Sequence, residues 1–472
     1  MKEENNQYQG QATEKYDVVI LGSGAAGKLI SWTLGKKGMK VAVIEREYIG
    51  GACPNIACLP SKNIIHSAKV ASFFRKSEEF GITKDNWKIS MEDVRERKRK
   101  MVTELVDIHL EQYRDTGVDL IMGEGRFISP KTLEVTTADG TARILQGEHV
   151  VINTGTRAAI GKTPGLEAAN PITHIGALEL DKIPGHLIIL GGGFVGIEFA
   201  QALKRLGAEV TLIERNSKLV HNEDEDVSDA LHQLFISENI GLVTGAHITS
   251  IEGFSGESVK VNFRQDGRDH VLEGSHLMVA AGRIPNTSGI NLELAGVEVT
   301  SSGYIKVNER LETTAAGVWA AGECAGSPHF THISENDFHV VADNLLGGNS
   351  ITTGRQVPFC MFTDPELARI GLSEKEARKQ DIPYRLAKIP FSAILRAKTI
   401  SETQGFMKAL VDTKSDRILG FTAFGADAGA VMAPVQVAML AGLSYTLLRD
   451  MIFPHPTMAE GLITLFSSVP DR

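Results

Sequence analysis

Cysteine is scarce in this chain. Four residues in 472 cannot form the disulfide framework of an extracellular protein, so a disulfide here would be a working one. No uninterrupted apolar run reaches the length of a membrane span, and the most apolar stretch, Ala428–Leu443, is broken by Pro434 and Gln436. No long basic run exists either. The formal net charge of −9, from 49 basic and 58 acidic side chains, disfavours nucleic acid and anionic membrane surfaces as partners. The opening MKEENNQYQGQATEK lacks the apolar core of a signal peptide, so residues 1–15 are expected to be a disordered polar tail and the protein cytoplasmic. What is present is enough chain for several domains, with 47 glycines clustered after apolar runs.

Two of these clusters share one pattern. In YDVVILGSGAAGKLISWTLGKKGMKVAVIERE, the apolar run Val18–Leu21 leads into Gly22, Gly24 and Gly27, then a helical stretch, then a second apolar run ending at Glu45. The glycines permit a tight turn and close approach of backbone to a pyrophosphate, whose charge suits a helix N-terminus. Glu45 is placed to accept from ribose hydroxyls. The pattern recurs in HLIILGGGFVGIEFAQALKRLGAEVTLIE with Gly191, Gly193, Gly196 and Glu214. Two complete units predict two dinucleotides, FAD and a nicotinamide nucleotide. Glu214 disfavours a 2′-phosphate, which points to NADH, while the adjacent Arg215 leaves NADPH open. Three further apolar runs close on small-residue turns suited to pass beneath a nucleotide: VVINTGT with Thr154 and Gly155, LMVAAGRIPN with Gly282, and GVWAAGECAG with Glu323. Glu323 is either a ribityl hydrogen-bond partner or a solvated turn acid. A helix is predicted over FTHISENDFHVVADNLLGG, with a positive N-terminus able to face the electron-rich edge of a flavin. The charged segment 65–115 reads as scaffold helices.

Between the first unit and that segment lies GGACPNIACLPSK, with Cys53 and Cys58 five positions apart. Such a pair can bridge if the first cysteine sits at a helix start, and Pro54 favours that placement as the first helical residue. Two buried thiols of an intracellular protein are the alternative. Cys324 and Cys360, on a turn and an apolar strand, read as structural.

With these motifs in order, the chain resembles the flavoprotein disulfide reductases, the group of glutathione reductase, dihydrolipoyl dehydrogenase and mercuric reductase. The resemblance runs from about Tyr16 to the C-terminus. It implies an α/β protein with two Rossmann-like nucleotide-binding domains and a C-terminal α+β dimerisation domain, assembled as a homodimer. The expected divisions are FAD-binding (16–160), NAD(P)-binding (161–285), central (286–355) and interface (356–472). It further implies flavin contacts from Gly22, Gly24, Gly27, Glu45, Gly51, Thr154, Gly155, Glu323 and His332. Nicotinamide-nucleotide contacts would come from Gly191, Gly193, Phe194, Gly196, Glu214 and Gly282, with Phe194 as a displaceable lid. Cys58 becomes the sulfur nearest the flavin and Cys53 the sulfur that meets substrate. Lys62 pairs with Glu198, and His455 with Glu460 acts across the dimer on the substrate-side thiol. From spacing alone, Thr457 to Glu460 equally reads as a capping box.

PGHLIILGGGFVGIEFA, FTHISENDFHVV and LRDMIFPHPTMAEGL look most like a branch of reactive-chlorine-resistance flavoproteins described as reducing hypothiocyanous acid or copper. The AHKAEDEG-like run of dihydrolipoyl dehydrogenases is replaced by THISENDF, and the mercuric reductases' C-terminal cysteine pair does not occur in the sequence. Departures from the family are Pro54, Ala57 (for Gly) and Glu323 (for Asp). The expected function is NAD(P)H-driven reduction of a small disulfide or thiol-reactive oxidant. Dihydrolipoyl dehydrogenase activity, mercuric or copper ion reduction, and a non-catalytic flavin redox sensor are the rivals.

Overall fold

The computed structural model describes residues 12–83 and 85–472. These fall into two compact units. The first holds the described residues through 63 with 96–159 and 282–355; the second holds 64–95, 160–281 and 356–472.

The first unit is built on a six-stranded sheet. Strand Thr13–Leu21 lies between Val41–Glu45 and Ala142–Ile152, parallel to both, with Val18 opposite Val41 and Val19 opposite Val150. Asp119–Ser129 and Val318–Ala320 extend the parallel part on either side, and Thr132–Thr137 adds an antiparallel strand. Val18 and Ile20 pack with Ile30 and Leu34 of helix Ala25–Lys36 and with Val340 of helix Thr331–Leu345. Val19 and Leu21 pack the other way, with Phe127, Val135 and Leu145. Because both faces are covered, the strand reads as a continuous apolar run rather than an alternating one. Residues 13–15, expected in the tail, are strand instead; residues 1–11 lie outside the described residues. The cause is side-chain anchoring: Arg143 grips both carboxylate oxygens of Glu14 at 2.8 Å, and the Tyr16 hydroxyl donates to Asp119 at 2.6 Å.

The second unit contains a four-stranded parallel sheet in the order His276–Val279, His186–Leu190, Glu209–Glu214, Gly241–Thr244. A three-stranded antiparallel sheet spans 247–274. A five-stranded antiparallel sheet is formed by Phe359–Met361, Glu366–Gly371, Ile418–Gly425, Phe406–Asp412 and Tyr384–Pro390. Helices Ala428–Leu440 and Gly461–Ser467 pack onto this sheet through Val431, Val435, Leu462 and Phe466. Lys408 of the same sheet is fully buried, and its ammonium touches Asp224 and Asp226 at 2.8 Å and Glu374 at 3.0 Å. Among the described residues, no helix is long and apolar enough to cross a membrane.

Candidate active site

In the first unit the chain turns sharply at Gly22, with φ +102°; a Cβ there would stand 2.4 Å from the Asn153 carbonyl oxygen. Only glycine tolerates both conditions. Helix Ala25–Lys36 then starts with no side-chain cap, leaving its first N–H groups for other partners. Two of them are taken locally: Gly27 N–H donates to Asn153 Oδ1 at 3.0 Å, and Ala26 N–H to Ser334 Oγ at 3.2 Å. Asn153 also donates to the Ala321 carbonyl at 2.8 Å, tying together the ends of three strands. Glu45 accepts from the Ser23 amide at 2.9 Å and the Ser23 hydroxyl at 2.7 Å. The Glu47 and Tyr48 amides donate to its other oxygen at 2.9 and 3.1 Å, so four donors fix the carboxylate at the end of the turn. Gly51, with φ +81°, presses against the Cα of Gly24, so the redox loop abuts the nucleotide loop.

The two cysteines stand next to this junction. Cys53 lies in the short helical turn Ala52–Asn55, capped by Gly51, and Cys58 opens helix Cys58–Arg75. One helix beginning at Cys53 is therefore corrected to two, broken at Ile56 with φ −136°. Pro54 is the third helical residue rather than the first, a place still free of cost because amides of the first turn lack intrahelical acceptors. The two sulfurs are not joined in a disulfide, and Cys53 hydrogen-bonds Cys58. That bond, then burial and the charge of Cys58, pushes the Cys53 thiol up; the Thr331 hydroxyl and the Lys28 ammonium pull it down. Cys58 Sγ lies 3.3 Å from Thr331 Oγ1, the first residue of helix Thr331–Leu345, whose N-terminus has no side-chain cap. Buried Asp337 of that helix accepts from the Gly322 amide and the Ser327 hydroxyl, both at 2.7 Å, holding the GECAG turn beside it.

The other predicted positions of this unit are placed as follows. Glu323, half-buried, turns to the Thr156 hydroxyl and lies 3.3 Å from Arg283 Nε. Thr154 and Gly155 follow strand Ala142–Ile152, and Gly155 has φ +65°. Gly282, with φ +142°, precedes strand Arg283–Pro285, which pairs with Thr156–Ala158. His332 is exposed and stacks on Phe330 at 5.2 Å between ring centroids. Lys62 lies in helix Cys58–Arg75.

The second unit repeats the nucleotide turn. Gly191 has φ +114°, and a Cβ on Gly196 would meet the Gly191 carbonyl oxygen at 2.0 Å. Glu214 accepts from the Gly192 amide at 2.6 Å. Phe194 opens helix Phe194–Leu206 and tilts onto Phe359 at 5.1 Å. One turn on, Glu198 accepts the Phe362 amide at 2.9 Å. Near the C-terminus His455 Nδ1 stands 2.9 and 3.0 Å from the two oxygens of Glu460. The Glu460 amide donates to Thr457 Oγ1 at 3.3 Å, but its carboxylate serves His455 and not the cap. The reciprocal half of the expected capping box is thus absent.

Sequence reasoning missed Asn153, Ser334 and Asp337. Each is a polar residue closing an apolar run or lying inside a helix, and only the fold shows what it holds. It also passed over Lys28, the basic residue directly after the first glycine unit.

The two glycine cradles and two uncapped helix starts fit a pair of dinucleotides, and a dithiol beside one cradle fits a flavin-linked disulfide centre. These features define a flavin- and nicotinamide-dependent disulfide oxidoreductase. Residues 16–337 match the family described as pyridine nucleotide-disulphide oxidoreductase, and residues 357–466 match its dimerisation domain. The chain belongs to this family, whose members are FAD-dependent enzymes using NAD(P)H. It is 35% identical over 462 residues to RclA of Escherichia coli K12, covering 96% of this chain and 99% of that one. A solved structure of E. coli RclA, described as a Cu(II) complex of an HOCl-induced flavoprotein disulfide reductase, superposes with a TM-score of 0.87 at 34% identity, covering 96% of this chain and 99% of that one. The mercuric reductase of Bacillus cereus is 32% identical, covering 95% of this chain and 70% of that one. The dihydrolipoamide dehydrogenase of Chaetomium thermophilum is 32% identical, covering 96% and 90%.

Proposed function

We propose that the protein is a cytoplasmic homodimeric reductase that uses NADH, and NADPH less well, to reduce a small thiol-reactive oxidant of the hypothiocyanous acid type through Cys53 and Cys58. The observation that carries this reading is the dithiol itself: two hydrogen-bonded sulfurs set against the N-terminus of helix Thr331–Leu345 and abutting a glycine cradle. Gly22, Gly24, Gly27, Glu45, Gly51, Thr154, Gly155, Glu323 and His332 would hold FAD. When bound, FAD supplies two-electron exchange between a reduced nicotinamide and the cysteine pair. Gly191, Gly193, Phe194, Gly196, Glu214 and Gly282 would hold the nicotinamide nucleotide, and Lys62 would pair with Glu198.

The chemistry of the chain's own residues then balances. The Cys53 thiolate attacks the electrophilic sulfur of hypothiocyanous acid, forming an S–S bond and expelling hydroxide, which leaves as water once protonated. His455 of the partner subunit would supply that proton, its imidazole held by carboxylate contacts of 2.9 and 3.0 Å. The Cys58 thiolate next attacks Cys53, closing the disulfide and releasing thiocyanate. The pair has given up two electrons, and NADH restores them.

The test is a steady-state comparison of hypothiocyanous acid, lipoamide, glutathione disulfide, Hg²⁺ and Cu²⁺ with both nucleotides, on the parent enzyme and on Cys53→Ser and Cys58→Ser. Hypothiocyanous acid should give the highest kcat/KM, and either serine variant should lose about 1,000-fold, the scale seen when a covalent nucleophile is removed. Faster turnover of dihydrolipoamide with NAD⁺ would transfer the assignment to dihydrolipoyl dehydrogenase, and negligible turnover with every acceptor would leave a redox sensor.

A further inference from the structure

The first nucleotide unit is followed directly by a lysine, Lys28. Lys28 sits one turn into helix Ala25–Lys36, half-buried, with its ammonium 3.0 Å from His109 Nε2 and 5.8 Å from the Trp32 ring centroid. Among the described residues no carboxylate ion-pairs with it; Glu335 acts on it only through space. A buried ammonium without an anion is costly, so such groups are paired or lose their proton. Burial does pull Lys28 down, and the first group opposing that pull is Cys53, ahead of Glu335. His109 cannot be the missing anion. Burial, then the charge of Lys28, holds its imidazole down to about 4, so at neutral pH it is an uncharged acceptor for the lysine N–H.

The backbone brings the partner of this lysine, His109, against the loop that leads into Cys53. A Cβ on Gly51 would lie 2.5 Å from the Gly24 Cα, and one on Gly50 would lie 2.3 Å from His109 Nδ1. The loop leading into Cys53 is thus wedged between the first nucleotide turn and the helix that carries His109, with Lys28 beside it. The groups facing Cys53 are Cys58 from helix Cys58–Arg75, Thr331 from helix Thr331–Leu345, and Lys28. Of these only Lys28 is a cation.

We infer that Lys28, oriented by His109, is the counter-ion of the Cys53 thiolate and so a positioning residue for the substrate-side sulfur. It makes that sulfur nucleophilic within one subunit, separately from any proton transfer by a histidine of the partner. The inference rests on Cys53 being the attacking thiol.

The experiment uses the full-length FAD-loaded enzyme in a Cys58→Ser background, where Cys53 titrates without its neighbouring thiol. The rate of iodoacetamide alkylation of Cys53 is followed against pH by peptide mass spectrometry. Adding Lys28→Met should move the midpoint of the profile upward by about one pH unit and slow alkylation at pH 7 about tenfold, the effect of removing one nearby charge. Adding Lys28→Arg should restore most of the rate, which a purely steric role for the side chain would not do. Superimposed profiles for the single variant and the Lys28→Met double variant would overturn the inference, as would failure of Lys28→Arg to recover. Flavin content of each variant excludes misfolding as the cause. The underlying reading is checked separately: if NADH-reduced parent enzyme is alkylated at Cys58 and not at Cys53, the assignment of the attacking sulfur fails, whatever Lys28 does.

Discussion

The two nucleotide turns are the same device built to different tightness. In each, the outer glycines carry identical burdens: Gly22 and Gly191 take φ of +102° and +114°, and Gly27 and Gly196 would place a Cβ 2.3 and 2.0 Å from a backbone carbonyl oxygen. The middle glycines part company. A Cβ on Gly24 would strike Asn153 Oδ1 at 2.5 Å, whereas one on Gly193 would meet nothing within 4 Å. The first turn is locked by an asparagine reaching from a neighbouring strand end and by the redox loop at Gly51. The second is anchored by Glu214 on its inner side and open at its tip. A locked turn suits a group that stays bound through every turnover; an open one suits a nucleotide that must leave each time.

The largest expected effect tests the part the turns share. Gly27→Ala and Gly196→Ala should each cost about 3 kcal/mol at the respective site, or roughly 100-fold weaker binding, because the new methyl meets backbone that cannot rotate away. Flavin per protomer after gel filtration reads the first, and NADH titration by flavin bleaching reads the second. A large effect at one site alone would break the equivalence.

Asn153→Ala should weaken FAD retention by about 2 kcal/mol through two lost buried hydrogen bonds. It should leave the KM for NADH within about twofold, since its partners Gly27 and Ala321 both belong to the first unit. Loss of nucleotide affinity without loss of flavin would reverse the assignment of the two cradles. The smallest effect is the sharpest contrast: Gly193→Ala should change NADH binding by less than about twofold because its backbone, at φ −87°, is already one that alanine adopts. Gly24→Ala should lose flavin measurably.

This contrast also marks how far the sequence could be read. Glycine spacing, apolar runs and terminal acids locate both turns, because each reflects a local constraint of backbone conformation. Asn153 is different. It looks like the last residue of one more strand, and its function depends on a carbonyl 168 positions away in the chain. The dithiol was legible as a pair, but not its geometry. Neither the break at Ile56 nor the packing of Gly51 against Gly24 has a local signature. Glu460 illustrates a third case: its spacing suited both a cap and a histidine partner, and only three-dimensional placement gives the carboxylate to His455.

Lys408 has a practical consequence. Its ammonium gathers Asp224, Asp226 and Glu374 as a divalent ion might in a smaller protein. Because this rivet is covalent chain and not a dissociable ion, no chelator can draw it out, and acceptor assays with Hg²⁺ or Cu²⁺ can be quenched with a strong chelator without loosening that joint.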